Sequence, residues 1–119
     1  MASQRQLRVG EQLRHMIAET LQRGDFHDEI LIDQAPGITV SEVRVSPDLK
    51  NATAYVVALG GRAMDEILPA LNEAAPLFQK EINRNARLKF TPRLAFKADH
   101  SFDEAQKIEN ILKNIHGQT

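Results

Sequence analysis

The sequence predicts a single α+β domain spanning 1–119, with elements in the order α-β-β-α-α-β-α and a three-stranded sheet carrying its helices on one face. Three observations lead there. Apolar spacing switches between the three-to-four-residue period of helices and the two-residue period of strands. A short Ser46-Pro47-Asp48 turn joins two adjacent strand patterns. Pro76 interrupts a long helical pattern that otherwise runs from about 64 to 88.

Residues 4–23 read as the first helix, because Val9, Leu13, Met16, Ile17, Thr20 and Leu21 form one apolar stripe. Gly24 suits the left-handed residue that closes it. An acidic connection follows, pinned to the core by Ile30, Leu31 and Ile32, and turns at Pro36-Gly37. Residues 38–46 are a strand whose apolar phase slips at Ser41-Glu42, the mark of a bulge. Residues 51–59 form its antiparallel partner, with Ala52, Ala54 and Ala58 alternating with Tyr55, Val57 and Leu59. Gly60-Gly61 then breaks the chain. The next helix, within 64–75, is expected to take Asp65 as N-cap so that Pro69 falls near its first turn. Pro76 ends this helix and opens another at about 76–88, because proline suits a first helical position. Leu77, Phe78 and Ile82 point inward there, and Lys80, Arg84 and Arg87 outward. The segment RLAFKA is a third strand with Leu94 and Phe96 inward and Arg93 and Lys97 outward. Ser101 and Glu104 have capping-box spacing for a last helix at 102–115, striped with Ala105, Ile108, Ile111, Leu112 and Ile115. The strands are expected to be antiparallel. Two helices broken at a fixed point and followed by a strand match the core of a type II KH domain.

Composition narrows the function classes. With 42% hydrophobic residues, a chain of this size holds a core without staples, and the absence of cysteine excludes disulfides, thiolate zinc sites and a cysteine nucleophile. No apolar run is long enough to span a bilayer, and the first residues lack the apolar stretch of a secretory signal. A cytoplasmic protein without membrane contact is expected. His15, His27, His100 and His116 are scattered. The group Asp99, His100, Asp103 and Glu104 is better explained by helix capping than by a metal or a hydrolytic centre. His27-Asp28-Glu29 reads as a solvated acidic loop, and no phosphate-loop pattern is present. No catalytic residue, metal, cofactor or small-molecule substrate is expected.

Charge is the informative feature. The net charge of -1 conceals +2 over 1–24, -6 over 25–78, +5 over 79–97 and -2 over 98–119. Lys80, Arg84, Arg87, Lys89 and Arg93 form a basic row beside the Ala74-Ala75-Pro76 kink, with Arg5 and Arg8 as a second group. Such a row can follow a phosphate backbone, although it also suits an ordinary solvated helix. One Tyr and five Phe, most of them core-facing, argue for recognition of structured RNA through shape and phosphate rather than base stacking.

Four stretches resemble the ribosome-binding factor A family. ITVSEVRVSPDLKNATAYVVAL is similar to its hairpin, with a Ser-x-Asp-Leu turn before a Val-rich strand. ALNEAAPLFQKEINRNARLKFTPRLAF is similar to its helix-kink-helix-strand, DHSFDEAQKIENIL to its Asp-x-Ser and final helix, and RQLRVGEQLRHMIAETLQR to its opening helix. The resemblance implies a non-catalytic, monomeric assembly factor that binds the immature small (30S) ribosomal subunit and its 16S rRNA. It implies assistance to 5′-end processing and late maturation, most needed in the cold. One departure stands out. The family favours Ala-x-Gly at the kink, whereas this chain has Ala74-Ala75-Pro76, and a proline without N–H is poorly suited to clamp phosphate. A protein-interaction module, or a domain binding structured RNA generically, is the alternative.

Overall fold

The computed structural model describes residues 2–58, 64–86, 88 and 91–99. The Gly60-Gly61 break, the final helix at 102–115, and Arg87 and Lys89 lie outside them. Helix α1 (Gln4–Arg23) has the expected bounds. Ser3 and Gln6 form a capping box at its start, and Gly24 closes it at φ 69°. A short helix α2 (Glu29–Gln34) occupies the stretch expected to be a loop. Asp28 caps it by accepting the N–H groups of Ile30 and Leu31. Of the three aliphatic residues expected to pin this segment, Leu31 is fully buried and Ile30 partly so, while Ile32 is exposed. A 3₁₀ turn (Ala35–Gly37) leads into β1 (Ile38–Val45).

Strands β1 and β2 (Asn51–Ala58) pair antiparallel, with the register shift between Val40 and Glu42 where the apolar phase slips. Their turn is locked by side chains. The Ser46 hydroxyl donates to Asp48 at 2.6 Å, and Asp48 also accepts the Lys50 N–H at 3.0 Å. The Asn51 N–H reaches Ser46 Oγ at 3.0 Å. Leu49 takes the left-handed conformation, φ 61°, while its side chain packs against the core.

The pair α3 (Met64–Glu73) and α4 (Ala75–Asn85) carries the chain across to β3 (Arg93–Ala98). Two expectations need correction here. Helix α3 begins at Met64, not after an Asp65 cap, so Pro69 lies inside it at an exposed position. The hydrogen bond that Pro69 forfeits would go to the Asp65 carbonyl, near the helix start, where the loss is modest. Second, β3 runs parallel to β2, with Asn51 opposite Arg93 and Val56 opposite Ala98. A tight turn can produce only an antiparallel neighbour. The two-helix crossover returns the chain to the starting end and makes the third strand parallel.

The sheet order is β1-β2-β3. Its inner face presents Ala52, Ala54, Val56, Leu94 and Phe96 to the helices, all buried. Small residues on the central strand let helices approach closely. Gly10 of α1 goes further: a Cβ there would lie 2.6 Å from the Val43 carbonyl oxygen. Phe78 of α4 joins the layers, its ring 5.6 Å from Phe26 and 4.9 Å from Phe96. The free edge of β3 is also covered. The Phe96 N–H donates to Asn72 Oδ1 at 2.8 Å, Asn72 Nδ2 donates to the Phe96 carbonyl at 3.2 Å, and the Leu94 N–H donates to Gln79 Oε1 at 3.0 Å. Among the described residues no buried side-chain polar atom lacks a partner.

Candidate nucleic-acid interface

Helix α4 buries Phe78 and Ile82, so its period turns Lys80 and Arg84 to the solvent on the opposite side, one turn apart. Both are exposed. Between them sits Glu81, whose side chain is only 21% exposed. It receives Arg84 at 3.7 Å and Arg23, from the last turn of α1, at 3.3 Å. One carboxylate therefore gathers two guanidiniums from elements far apart in sequence. Arg23 was not among the expected contacts. The only sequence signal for it is a basic residue in a final helical turn, which also serves the helix dipole.

The remaining cations do not join this row. Arg93 lies on β3, whose inner residues Leu94 and Phe96 pack toward α4. Strand alternation puts Arg93 and Lys97 on the opposite face of the sheet. Arg5 and Arg8 are exposed in the first two turns of α1. The rise of the helix separates Arg5 from Arg23 by about 27 Å. Gln6 ties this end down by donating to the Val45 carbonyl at 2.9 Å. Among the described residues, the expected contacts and Arg23 thus fall on three surfaces: the α1–α4 seam, the α1 start and the outer sheet face.

The kink has the opposite character. Ala74 links α3 to α4, Ala75 is buried, and Pro76 occupies the first turn of α4. The Leu77 N–H is already used, donating to the Ala74 carbonyl at 2.9 Å. The adjoining cleft is lined by the apolar Phe26, Leu31 and Leu77 and by His27, Asp28 and Glu73. A phosphate there would meet two carboxylates against one imidazole, and at Pro76 a residue with no N–H to offer.

Titration follows local pairing. The Glu11 carboxyl is held low first by its hydrogen bond from Arg14, and the Asp48 carboxyl first by the Ser46 hydroxyl and then by the Lys50 N–H. Neither group lies on the α4 row. Among the described residues no cluster of three His, Asp or Glu is placed to hold a metal, and no described helix is long and apolar enough to cross a membrane. The Asp99, His100, Asp103 and Glu104 group falls largely outside the described residues.

Comparison with known proteins adds an independent line. The family described as Ribosome-binding factor A matches residues 5–112. The ribosome-binding factor A of Rhodopseudomonas palustris (strain BisB18) is 51% identical over 111 residues, covering 93% of this chain and 80% of the relative. The crystal structure of ribosome-binding factor A from Thermus thermophilus superposes with a TM-score of 0.64 at 28% identity, covering 78% of this chain and 94% of the other. Coordinates of a homology model of the Thermus thermophilus ribosome-binding factor A, as fitted into the cryo-EM map of its complex with 30S, give a TM-score of 0.59 at 29% identity, covering 76% of this chain and 91% of the other.

Proposed function

This chain belongs to the ribosome-binding factor A family, and on that footing we propose that it binds the immature 30S subunit as a non-catalytic assembly factor. It holds the region of 16S rRNA where the 5′ end is processed, assists late maturation, and matters most in the cold. It acts as a cytoplasmic monomer. The single observation that carries this is the family match across 5–112, joined to a chain fold shared with a protein fitted into a 30S complex.

The contact surface is the α1–α4 seam. Lys80 and Arg84, with Arg87 and Lys89 that follow them in the sequence, bind rRNA phosphates, and Arg93, Arg5 and Arg8 are outlying contacts. Phosphate contacts position a protein without reading sequence. Each one releases counterions, so affinity falls steeply with salt.

Sedimentation of a cell lysate on a sucrose gradient tests the proposal. The protein is expected with free small subunits and not with 70S ribosomes, and equal recovery in both fractions refutes it. The Arg84→Ala, Arg87→Ala double variant should bind subunits more weakly and lose roughly one unit of salt slope per contact while keeping its circular dichroism. An unchanged slope in a folded variant places the RNA-binding surface elsewhere. One observation favours the alternative of a protein-interaction module: the apolar cleft that Asp28 and Glu73 also line suits a basic peptide. Loss of subunit binding on Asp28→Asn, Glu73→Gln substitution, with the Arg84, Arg87 variant unaffected, would favour it.

A further inference from the structure

We infer that the outer face of the sheet is a second RNA surface, which stacks bases of a single strand on Tyr55. It rests on the RNA-binding function proposed above and deepens it, because the α4 row is suited to phosphate alone. It reverses, for Tyr55, the expectation from the few aromatics that bases are not stacked, since the strand register turns this ring away from the core. Among the described residues, the helices that contact the sheet, α1, α3 and α4, pack on its inner face. The outer face carries Tyr55 on the central strand, directly opposite Glu42 on β1 and Lys97 on β3. The Arg44 guanidinium lies over the Tyr55 ring, 5.2 Å from its centroid, and is aimed there by Glu42, which accepts its Nε–H at 3.0 Å. Tyr55 is half-buried beneath this guanidinium, so a base reaches the ring by displacing exposed Arg44, whose own plane then stacks on the base. An aromatic ring and a guanidinium are the two side-chain surfaces on which bases stack.

The rows around the ring complete the site. Moving along the strands from the Tyr55–Lys97 row, the next pair is Thr53 and Ala95 and the one beyond it Asn51 and Arg93. The middle row is small on β2 and β3 and continues on β1 as Arg44, the partner of Thr53. By strand rise Arg93 and Lys97 stand about 13 Å apart, both exposed, where a short backbone can pass between them. Arg44 and Glu42 pair and cancel, and Asp99, which accepts the Ser41 hydroxyl, offsets one of the two remaining cations. Among the described residues Arg93 and Lys97 thus leave the face with a net charge of about +1, which favours a nucleic acid over an acidic partner. Every base has a stacking face, so this surface takes single strands without strong sequence preference.

The chain supplies its own probe. It has one tyrosine and no tryptophan, so its intrinsic fluorescence reports Tyr55 alone. The full chain is titrated with a single-stranded oligoadenylate and with a duplex RNA of equal charge. Affinities are read separately from the anisotropy of labelled RNA. The single strand should quench Tyr55 saturably, and the duplex should bind without quenching. Tyr55→Ala should weaken single-strand binding roughly 5- to 150-fold, Tyr55→Phe should retain most of it, and Arg93→Gln with Lys97→Gln should weaken it while leaving the fold unchanged. RNA binding with no quenching, and with Tyr55→Ala at wild-type affinity, overturns this inference and leaves the phosphate row standing. Binding to neither RNA, nor to small subunits, overturns both. Subunit binding that is lost in Tyr55→Ala, with no quenching by any RNA, also overturns it and makes the face a protein contact.

Discussion

Replacing Gly10 by alanine sets two opposing effects against each other. Gly10 sits in the middle of α1, where glycine costs about 1 kcal/mol relative to alanine. Helix propensity alone therefore predicts that Gly10→Ala stabilises the protein by about that amount. The packing says otherwise. The added Cβ would meet the Val43 carbonyl oxygen at 2.6 Å, against an ordinary contact of 3.4 Å or more. The obstacle is backbone in the first strand, paired to the central one, and cannot rotate away as a side chain could. Helix α1 must lift by several tenths of an ångström along a seam held by Leu13 and Ile17, both fully buried. Overpacking of this kind costs about 1–3 kcal/mol, and loosening of the seam adds to it. A net loss of about 1–2 kcal/mol is expected, or roughly 4–8 °C in Tm for a domain near this size. Thermal unfolding followed by circular dichroism measures it. Gln12→Ala, exposed on the same helix, serves as the control and should change Tm little. A Gly10→Ala protein that melts at or above the wild-type temperature would mean that α1 does not approach β1 as closely as described.

Three further outcomes are expected. Glu81→Gln releases Arg23 and Arg84 from a shared carboxylate, so subunit affinity and its salt dependence should both rise, at a stability cost of about 1 kcal/mol or less; weaker binding would instead make Glu81 the group that aims the two guanidiniums. Asn72→Ala strips the partners from the Phe96 N–H and carbonyl at the sheet edge, which should destabilise by about 1–3 kcal/mol in urea titration, and an unchanged midpoint would show that water replaces the amide. The Asp48 carboxyl is held low by the Ser46 hydroxyl and the Lys50 N–H, so its support of the turn is complete above the ordinary Asp range of about 4 and fades as pH falls through its lower folded value. The Lys50 and Asn51 amide resonances should shift only in that acid range, and Asp48→Asn should abolish the shift; a shift at higher pH would point to another group.

Local signals carried much of this protein in its sequence. The bounds of α1 follow from an apolar stripe and Gly24, and the structure adds the Ser3–Gln6 capping box; each acts within a turn of where it stands. The bulge between Val40 and Glu42 shows as a slipped phase, because a side-chain period of two leaves no other way to keep Ile38, Val40, Val43 and Val45 all buried. The break at Ala74 shows as Pro76, since a proline opening a helix needs no partner elsewhere. The exposure of Lys80 and Arg84 follows from the burial of Phe78 and Ile82 on the same helix. Tertiary structure decided the rest, because the deciding contacts join residues far apart in the chain. The parallel direction of β3 depends on where the α3–α4 crossover ends, which no strand pattern encodes. Gly10 reads as a weak point in a helix until Val43 is found 2.6 Å away. Arg23 becomes part of the basic seam only through Glu81, 58 residues on, and Arg93 leaves it only because the sheet lies between them. Side-chain type and spacing determine which faces a chain can bury; only the packing of those faces determines which charges end up side by side.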